Sequence, residues 1–457
     1  MRYGGCVFAC RRWLAVGMLL VLGGVLAPTA DASVLVVPRD YPTIQSAVNG
    51  ALDGDTVVVL PAPGNTYYIE NVVLKAGVTL VGYGARLSAY DPSGYGDKTA
   101  ITCPARTGVI GFKEITGLRG FSISVVGNNV RIYGNKKVSR LTVGSGSSSP
   151  PVRSVQIEQN AEIDGLILNN AQVVLVKNNL ISGHISPFIL SPNPSILIRD
   201  SQRVNFINNT VVQDPSIYGD NEMVIEGSSQ SIAVRNSIFQ TIDPPSGYPR
   251  PSDIAVNVTT SYPIIGLWYS ALRKGVAGQG LIMKDGNLIG TDCQLVSLPT
   301  VFVGGTGDVH LKAGSPCIDA GDPNVEDQDG TRSDMGTFGG EQTYFKPTVI
   351  CTELYHQGLI PEAWFVADST YANLQIDPAT RAAYLAWAQP FVRLMQRSRW
   401  VTAAVRPFAV AWAKHMAYVM GASPDDSALG RFLDTTGVPL HRAIGKHLLL
   451  HQPALLP

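Results

Sequence analysis

Apolar and polar positions alternate in short bursts through the middle of the chain. Val174-x-Val176-x-Asn178-x-x-Ile181 is followed 30 positions later by Val204-x-Phe206-x-Asn208-x-x-Val211, and 28 positions after that by Ile232-x-Val234-x-Asn236-x-x-Phe239. A second alternating pair precedes each copy: Leu166-x-Leu168, Ile196-x-Ile198 and Met223-x-Ile225. Period-two alternation predicts strands with one buried face. One such unit cannot bury its apolar side alone, so copies at a fixed interval predict a stack of coils around a shared core. Asn178, Asn208 and Asn236 recur at one point of the unit. An Asn there suits a turn, and stacked in register its amide is expected to bond the Asn above and below.

Weaker versions continue outwards, from Val57-x-Val59 and Val78-x-Leu80 to Val155-x-Ile157 on one side and to Ile254-x-Val256-x-Val258 on the other. Gly, Ser and Pro clusters at residues 144–151 and 243–251 read as loops leaving the coil. Ahead of the first strands, Ile44, Ala47, Val48, Ala51 and Leu52 fall on one helical face behind Thr43, a good N-cap. This predicts a short amphipathic helix that caps the open end of the core.

Beyond Gly340 the apolar period changes to three and four, which predicts helices at residues 352–357, 361–371, 379–397, 401–420, 426–435 and 439–451. Pro390 and Pro407 are expected to kink or break the two long ones. The expected organisation is a signal peptide over residues 1–32, a coil region over 33–342 and an α-helical domain over 343–457.

The leader follows from Arg2, Arg11 and Arg12 ahead of an apolar run from Leu14 to Leu26, closed by Ala30-Asp31-Ala32. Its removal leaves no span long and apolar enough to cross a bilayer: the stretch from Trp400 to Met420 contains Arg406, Pro407, Lys414 and His415. Export permits disulfides among Cys103, Cys293, Cys317 and Cys351. Cys293 and Cys317, 24 positions apart, could stack on adjacent coils; buried free thiols are the alternative.

The composition adds limits. The 457 residues carry 35 basic and 35 acidic side chains, so the balance excludes a general nucleic-acid binder, which needs a basic footprint. Charged residues are only 15% of the chain and mean hydropathy is +0.12, which excludes a mainly disordered one.

The stretches Asp40-Tyr41-Pro42-Thr43-Ile44-Gln45-Ser46-Ala47-Val48, Gly54-Asp55-Thr56-Val57-Val58-Val59 and Gly77-Val78-Thr79-Leu80-Val81-Gly82 resemble the opening of right-handed parallel β-helix proteins, the superfamily of pectate lyases, pectin esterases, polygalacturonases and phage tailspikes. Gly314-Ser315-Pro316-Cys317-Ile318-Asp319-Ala320-Gly321-Asp322 and Asp329-Gly330-Thr331-Arg332-Ser333-Asp334-Met335-Gly336 are similar to a closing segment of bacterial secreted β-helix proteins. The resemblance spans residues 34–342. It implies a mainly β fold, a right-handed parallel β-helix, followed by a small all-α C-terminal domain.

Function is less legible, because the fold hosts many activities. Tyr67 and Glu70 resemble part of a pectin esterase motif, and Gly183-His184 part of a polygalacturonase one, but neither is completed, so no catalytic residue is assigned. Acids for polysaccharide chemistry are available at Glu158, Glu162, Asp164, Asp200, Asp214, Asp220, Glu222 and Glu226, with Arg199 among them. Asp322, Asp327, Asp329 and Asp334 are calcium candidates, since carboxylates ring hard cations; local turn hydrogen bonds are the other explanation. Five of the seven histidines lie late in the chain, as solvated or capping residues. The expected protein is a secreted or cell-surface one, with a periplasmic location as the variant, that binds or acts on polysaccharide. The alternatives are a polysaccharide lyase or glycoside hydrolase with an unrecognised acidic site, and a tailspike-like assembly protein that oligomerises through its helical tail.

Overall fold

The computed structural model describes residues 32–91, 98–117, 120–146, 149–183, 194–213, 221–241, 252–260, 264–298, 307–327, 329–340, 349–374, 376 and 378–451. The leader, His184, Asp214, Asp220 and the loop at 243–251 therefore lie outside the described residues.

The alternating segments pair with the segment one coil earlier and one coil later, always in parallel. Among the described residues they build one sheet of eleven strands, from Val34–Val37 to Leu281–Met283, and one of nine, from Val72–Val73 to Val276–Gly278. A third sheet starts with Tyr67–Ile69, Arg86–Ser88 and Glu114–Thr116, passes through single bridges at Val138 and Ile163, and continues from Leu180–Ile181 to Leu288–Ile289. This is a parallel β-helix. Val176, Phe206 and Val234 lie one above another in register, within a column that runs from Leu35 through Val57, Leu80 and Ile132 to Leu267. All are buried in one continuous core with Ile123, Leu166 and Ile225 of the second sheet and Ile115, Ile163 and Phe239 of the third.

The expected Asn ladder exists one residue later than the repeat indicated. Asn178, Asn208 and Asn236 have left-handed backbone angles (φ 54, 51 and 50°), which Asn tolerates better than most residues. At this bend the left-handed residue turns its side chain outward and the next one turns inward. The buried ladder is thus Asn135, Asn160, Asn179 and Asn209, whose amides bond successively at 3.0, 2.9 and 3.0 Å. It continues through Ser237, Ser270 and Asn287 by backbone-to-side-chain bonds. The outer Asn residues hold the closing segment instead: Asn178 donates to the carbonyls of Thr337 and Gly339, Asn208 donates to that of Asp334, and Asn236 accepts from the Asp322 N–H. Gly336 (φ 96°) is needed where this segment meets the third sheet, because a Cβ there would lie 2.7 Å from Ile238.

Helix α1 (Ile44–Gly50) forms behind Thr43, whose hydroxyl accepts from the Ser46 N–H in a capping box. Ile44, Ala47 and Val48 join the core, whereas Leu52 lies beyond the helix and is 71% exposed. Cys293 and Cys317 are disulfide-bonded, with Cα atoms 5.4 Å apart. They do not stack on neighbouring coils: Cys317 belongs to the closing segment, packed with Cys293, Leu295, Val309 and Met335 on the outside of the third sheet. Cys103 and Cys351 are buried and outside the disulfide.

The C-terminal helices are α2 (Val349–His356), α3 (Glu362–Leu374), α4 (Pro378–Arg397), α5 (Arg399–Val419) and α6 (Ala428–His451). Neither Pro390 nor Pro407 breaks its helix, and the two segments expected around Pro439 are one helix. The carbonyls these prolines leave free belong to Ala386, Ala403 and Thr435, all on the exposed side where water can satisfy them. Ala367 of α3, Ala417 of α5 and Met420 cover the outer face of the first sheet at Val36, Val58, Val81 and Ile110. Ser33–Pro457 is one compact unit. His415, expected to be a solvated or capping residue, is buried: its Nδ1 lies 2.6 Å from Asp426 and its Nε2 3.6 Å from Asp434. Burial alone would lower its pKa, but the hydrogen bonds to Asp434 and Asp426 prevail and raise it above 6.5.

Candidate functional site

Strand alternation assigns each outward side chain of the β-helix to a column that runs across the coils. On the third sheet, the later half of that outer surface is apolar (Leu180, Val212, Ile238, Ala271) and lies under the disulfide-bonded closing segment. The earlier half is polar and reaches solvent. Tyr67, Arg86 and Glu114 occupy successive rungs of one column, and Lys137 and Glu162 extend it, each one residue before the core positions Val138 and Ile163. Asp164 follows on the same outward side, next to Ile163 in sequence.

These groups are linked. The Tyr67 hydroxyl donates to Glu114 Oε2 at 2.5 Å, and Arg86 Nε lies 3.7 Å from the same oxygen. The Arg86 guanidinium also covers the Tyr67 ring at 5.5 Å. Further along, Lys137 Nζ lies 3.5 Å from Glu162 Oε2 and 3.7 Å from Asp164 Oδ1. The Glu162 and Asp164 oxygens that face Lys137 are therefore no more than about 7 Å apart. Glu162 is buried; its Oε1 accepts from the Ser182 hydroxyl at 3.1 Å, and its Oε2 has only Lys137 among the described residues.

The electrostatics single out Asp164. Its side chain is 30% exposed. Burial is the largest influence on it and, with the nearby negative charges of Glu162 and Glu114, outweighs Lys137 and Arg140, so its pKa rises to about 7. Lys137, held by Asp164 and Glu162 against its own desolvation, is raised and remains a cation. Burial followed by the bond to Glu114 pushes Tyr67 to about 12, so it stays a hydroxyl donor. The row thus combines a fixed cation, a neutral donor and a carboxyl that changes charge near neutrality.

The other acidic residues are dispersed. Glu158 pairs with Arg131 at 3.5 Å and Glu226 with Arg199 at 2.5 Å. Asp200 accepts from the N–H and hydroxyl of Ser228, and Glu222 is buried. Glu70 is structural: its two oxygens accept the N–H groups of Ile44 and Gln45 at the start of α1, where helix polarity favours an anion. The unfinished pectin esterase likeness at Tyr67 and Glu70 therefore divides between the charged row and a helix anchor.

Each calcium candidate accepts hydrogen bonds, within a turn for Asp322 and Asp329 and across the closing segment for Asp327 and Asp334. Asp322 accepts from Asn324, Asp329 from the N–H and hydroxyl of Thr331, Asp334 from the Asp319 N–H, and Asp327 from the N–H groups of Asp334 and Gly340. Asp329 and Asp334, with Asp319, border a cleft of about 240 Å³ beside the stacked rings of His310 and Phe338. Among the described residues no three His, Cys, Asp or Glu side chains converge as a metal ion requires.

Sequence reasoning named Glu162 and Asp164 without pairing them, named Tyr67 only through a motif, and missed Arg86, Glu114 and Lys137. The available signal was positional: Glu114-Ile115, Lys137-Val138 and Glu162-Ile163 each set a charge immediately before a core aliphatic.

No family model matches the chain, and neither does any curated protein. Among solved structures, the chain is similar to the A-module of a mannuronan C-5 epimerase from Azotobacter vinelandii (12% identity, 54% of this chain and 94% of that one, TM-score 0.24). It is also similar to a pectate lyase (12%, 69% and 97%, TM-score 0.27) and to a polygalacturonase from Erwinia carotovora ssp. carotovora (13%, 57% and 99%, TM-score 0.24). These likenesses concern the fold alone; the architecture itself rests on the strand pairing described above.

Proposed function

We propose that this is an exported protein that binds an extended polysaccharide along the uncovered half of the third sheet. The observation that supports the reading is the polar row Tyr67, Arg86, Glu114, Lys137, Glu162 and Asp164, left open where the rest of that face is sealed by the closing segment. Successive rungs are about 4.8 Å apart, so five of them offer a straight track of about 19 Å. A linear polymer with hydroxyls on both edges suits such a track, and carboxylates, a guanidinium and an ammonium group bond hydroxyls well. Export rests on the leader over residues 1–32, and calcium remains a proposal attached to Asp322, Asp327, Asp329 and Asp334.

One observation favours a second reading, catalysis. A carboxyl with a pKa of about 7 beside a lysine is suited to accept or donate a proton near neutral pH. In that reading Asp164 is the proton-transfer group, Lys137 stabilises negative charge, and the chemistry is that of a lyase or hydrolase.

The test is a panel of neutral and acidic polysaccharides, incubated with the chain from Ser33 onward, with and without chelator. Affinity is measured for the wild type and for Lys137→Ala. Saturable binding weakened at least ten-fold by the variant supports the reading. New reducing ends or unsaturated products would favour catalysis over binding, and loss of binding with chelator would favour calcium. Binding to no polysaccharide, or binding untouched by Lys137→Ala, refutes the proposal.

A further inference from the structure

The turn between α4 and α5 carries a different signature from the rest of the surface. Between Arg381 and Pro424 the chain has Arg381, Arg393, Arg397, Arg399, Arg406 and Lys414 and not one acidic residue. Arg393, Arg397, Arg399 and Arg406 are all exposed, and none has an acidic partner among the described residues. In a protein with balanced charge overall, this is a local excess of cations left unneutralised.

The same tip displays apolar side chains. Trp400 is 87% exposed, and Leu394 and Phe408 are each 51% exposed. Trp400, Ala404 and Phe408 recur every four residues, so they form one outward stripe on α5, with Arg399, Ala403 and Arg406 alongside it. The inner face of the same helix is fixed in the protein through Thr402, Ala409 and Ala413. No helix of the described chain is long and apolar enough to cross a membrane.

Three occupants could cover such a face. A second copy would set four arginines against four arginines. A soluble polyanion would match the charge but leave Leu394 and Phe408 in water. A bilayer rich in anionic lipid matches both, with headgroups for the arginines and the acyl boundary for Trp400, Leu394 and Phe408. Trp is also the side chain that favours the membrane–water interface.

We propose that the α4–α5 tip docks this protein peripherally on an anionic membrane surface, with Trp400 and Phe408 inserted and the four arginines on the headgroups. The docking holds the β-helix at that surface without a spanning segment.

The chain from Ser33 onward, which lacks the apolar leader, is floated with vesicles of phosphatidylcholine alone or with about one-third phosphatidylglycerol. Association with the anionic vesicles at least ten-fold above the neutral ones is expected, falling steeply with salt. Changing Arg393, Arg397, Arg399 and Arg406 to Gln should reduce partitioning by roughly five-fold per residue at low salt. The variant Trp400→Ser with Phe408→Ser, both exposed in the fold, should reduce it by roughly ten-fold or more with every arginine intact. Thermal unfolding of each variant checks that the helices still form. No association overturns the proposal, as does association that survives the arginine variant. Loss with the arginine variant alone, while the Ser variant binds fully, would identify a charge-only contact with a polyanion and overturn the membrane assignment. A concentration-dependent dimer abolished by Trp400→Ser would assign the face to a second copy and overturn it too.

Discussion

Removing one amide from the middle of the buried Asn ladder should destabilise the whole β-helix, because the Asn179 side-chain oxygen is the acceptor of the Asn160 N–H. Asn179 donates to Ile157 O at 2.8 Å, Lys177 O at 3.0 Å and Asn209 Oδ1 at 3.0 Å, and its own oxygen accepts the backbone and amide N–H groups of Asn160. Asn160 and Asn179 are essentially inaccessible to solvent. Asn179→Ala therefore leaves the Asn160 N–H without its acceptor in a dry interior and takes one bond from the Asn160 amide. At about 1–3 kcal/mol for the abandoned N–H and about 1 kcal/mol for the other bonds lost, the loss should be about 2–4 kcal/mol. Asn178→Ala is the internal control. It breaks two bonds to the closing segment and forces Ala into a left-handed backbone, about 3 kcal/mol in all, a loss that should fall on the closing segment and not on the coils. Urea unfolding followed by circular dichroism measures both. A loss below about 1 kcal/mol for Asn179→Ala would refute the assignment of the ladder to the inner residues.

Three further outcomes are expected. Asp164 holds its proton more tightly folded than unfolded, so its contribution to stability falls as pH rises from about 4 to about 7. Asp164→Asn should thus stabilise the protein above pH 7, by about 2 kcal/mol once partial exposure is discounted, and have little effect at pH 4; urea midpoints at the two pH values check this. Changing Cys293 and Cys317 to Ser opens a loop of 24 residues, and should cost the closing segment about 3 kcal/mol, seen as faster proteolysis after Lys312 than in the first coils. His415 binds its proton more tightly folded than unfolded, so the stability it adds is present below pH 6.5 and is lost as pH rises through its higher folded value. Hydrogen exchange in α5 and α6 should accelerate over that interval, and His415→Gln should remove the pH dependence.

The stacking of Val176, Phe206 and Val234 was readable because three copies in succession keep both alternation and a fixed interval. The ladder was not, since its third inward position is Ser237, and the eye follows the invariant outer Asn. The polar row escaped for a different reason. Its middle members stand at single bridges beside Val138 and Ile163, not in strands, and coil length changes from 25 to 19, 30, 28, 33 and 17 residues along the ladder. No single sequence period can bring Glu114, Lys137 and Glu162 into line under those conditions. In the helical region Pro390 and Pro407 suggested breaks that exposure makes unnecessary.

The most direct test of the account is a hydrogen-exchange footprint of the protein with its best-binding polysaccharide. Protection confined to residues 67–69, 86–88, 114–116, 137–139 and 162–164 is the result expected of a polymer lying along the open half of the third sheet. Protection on the second sheet or at the closing-segment cleft, with those five segments unchanged, would contradict it.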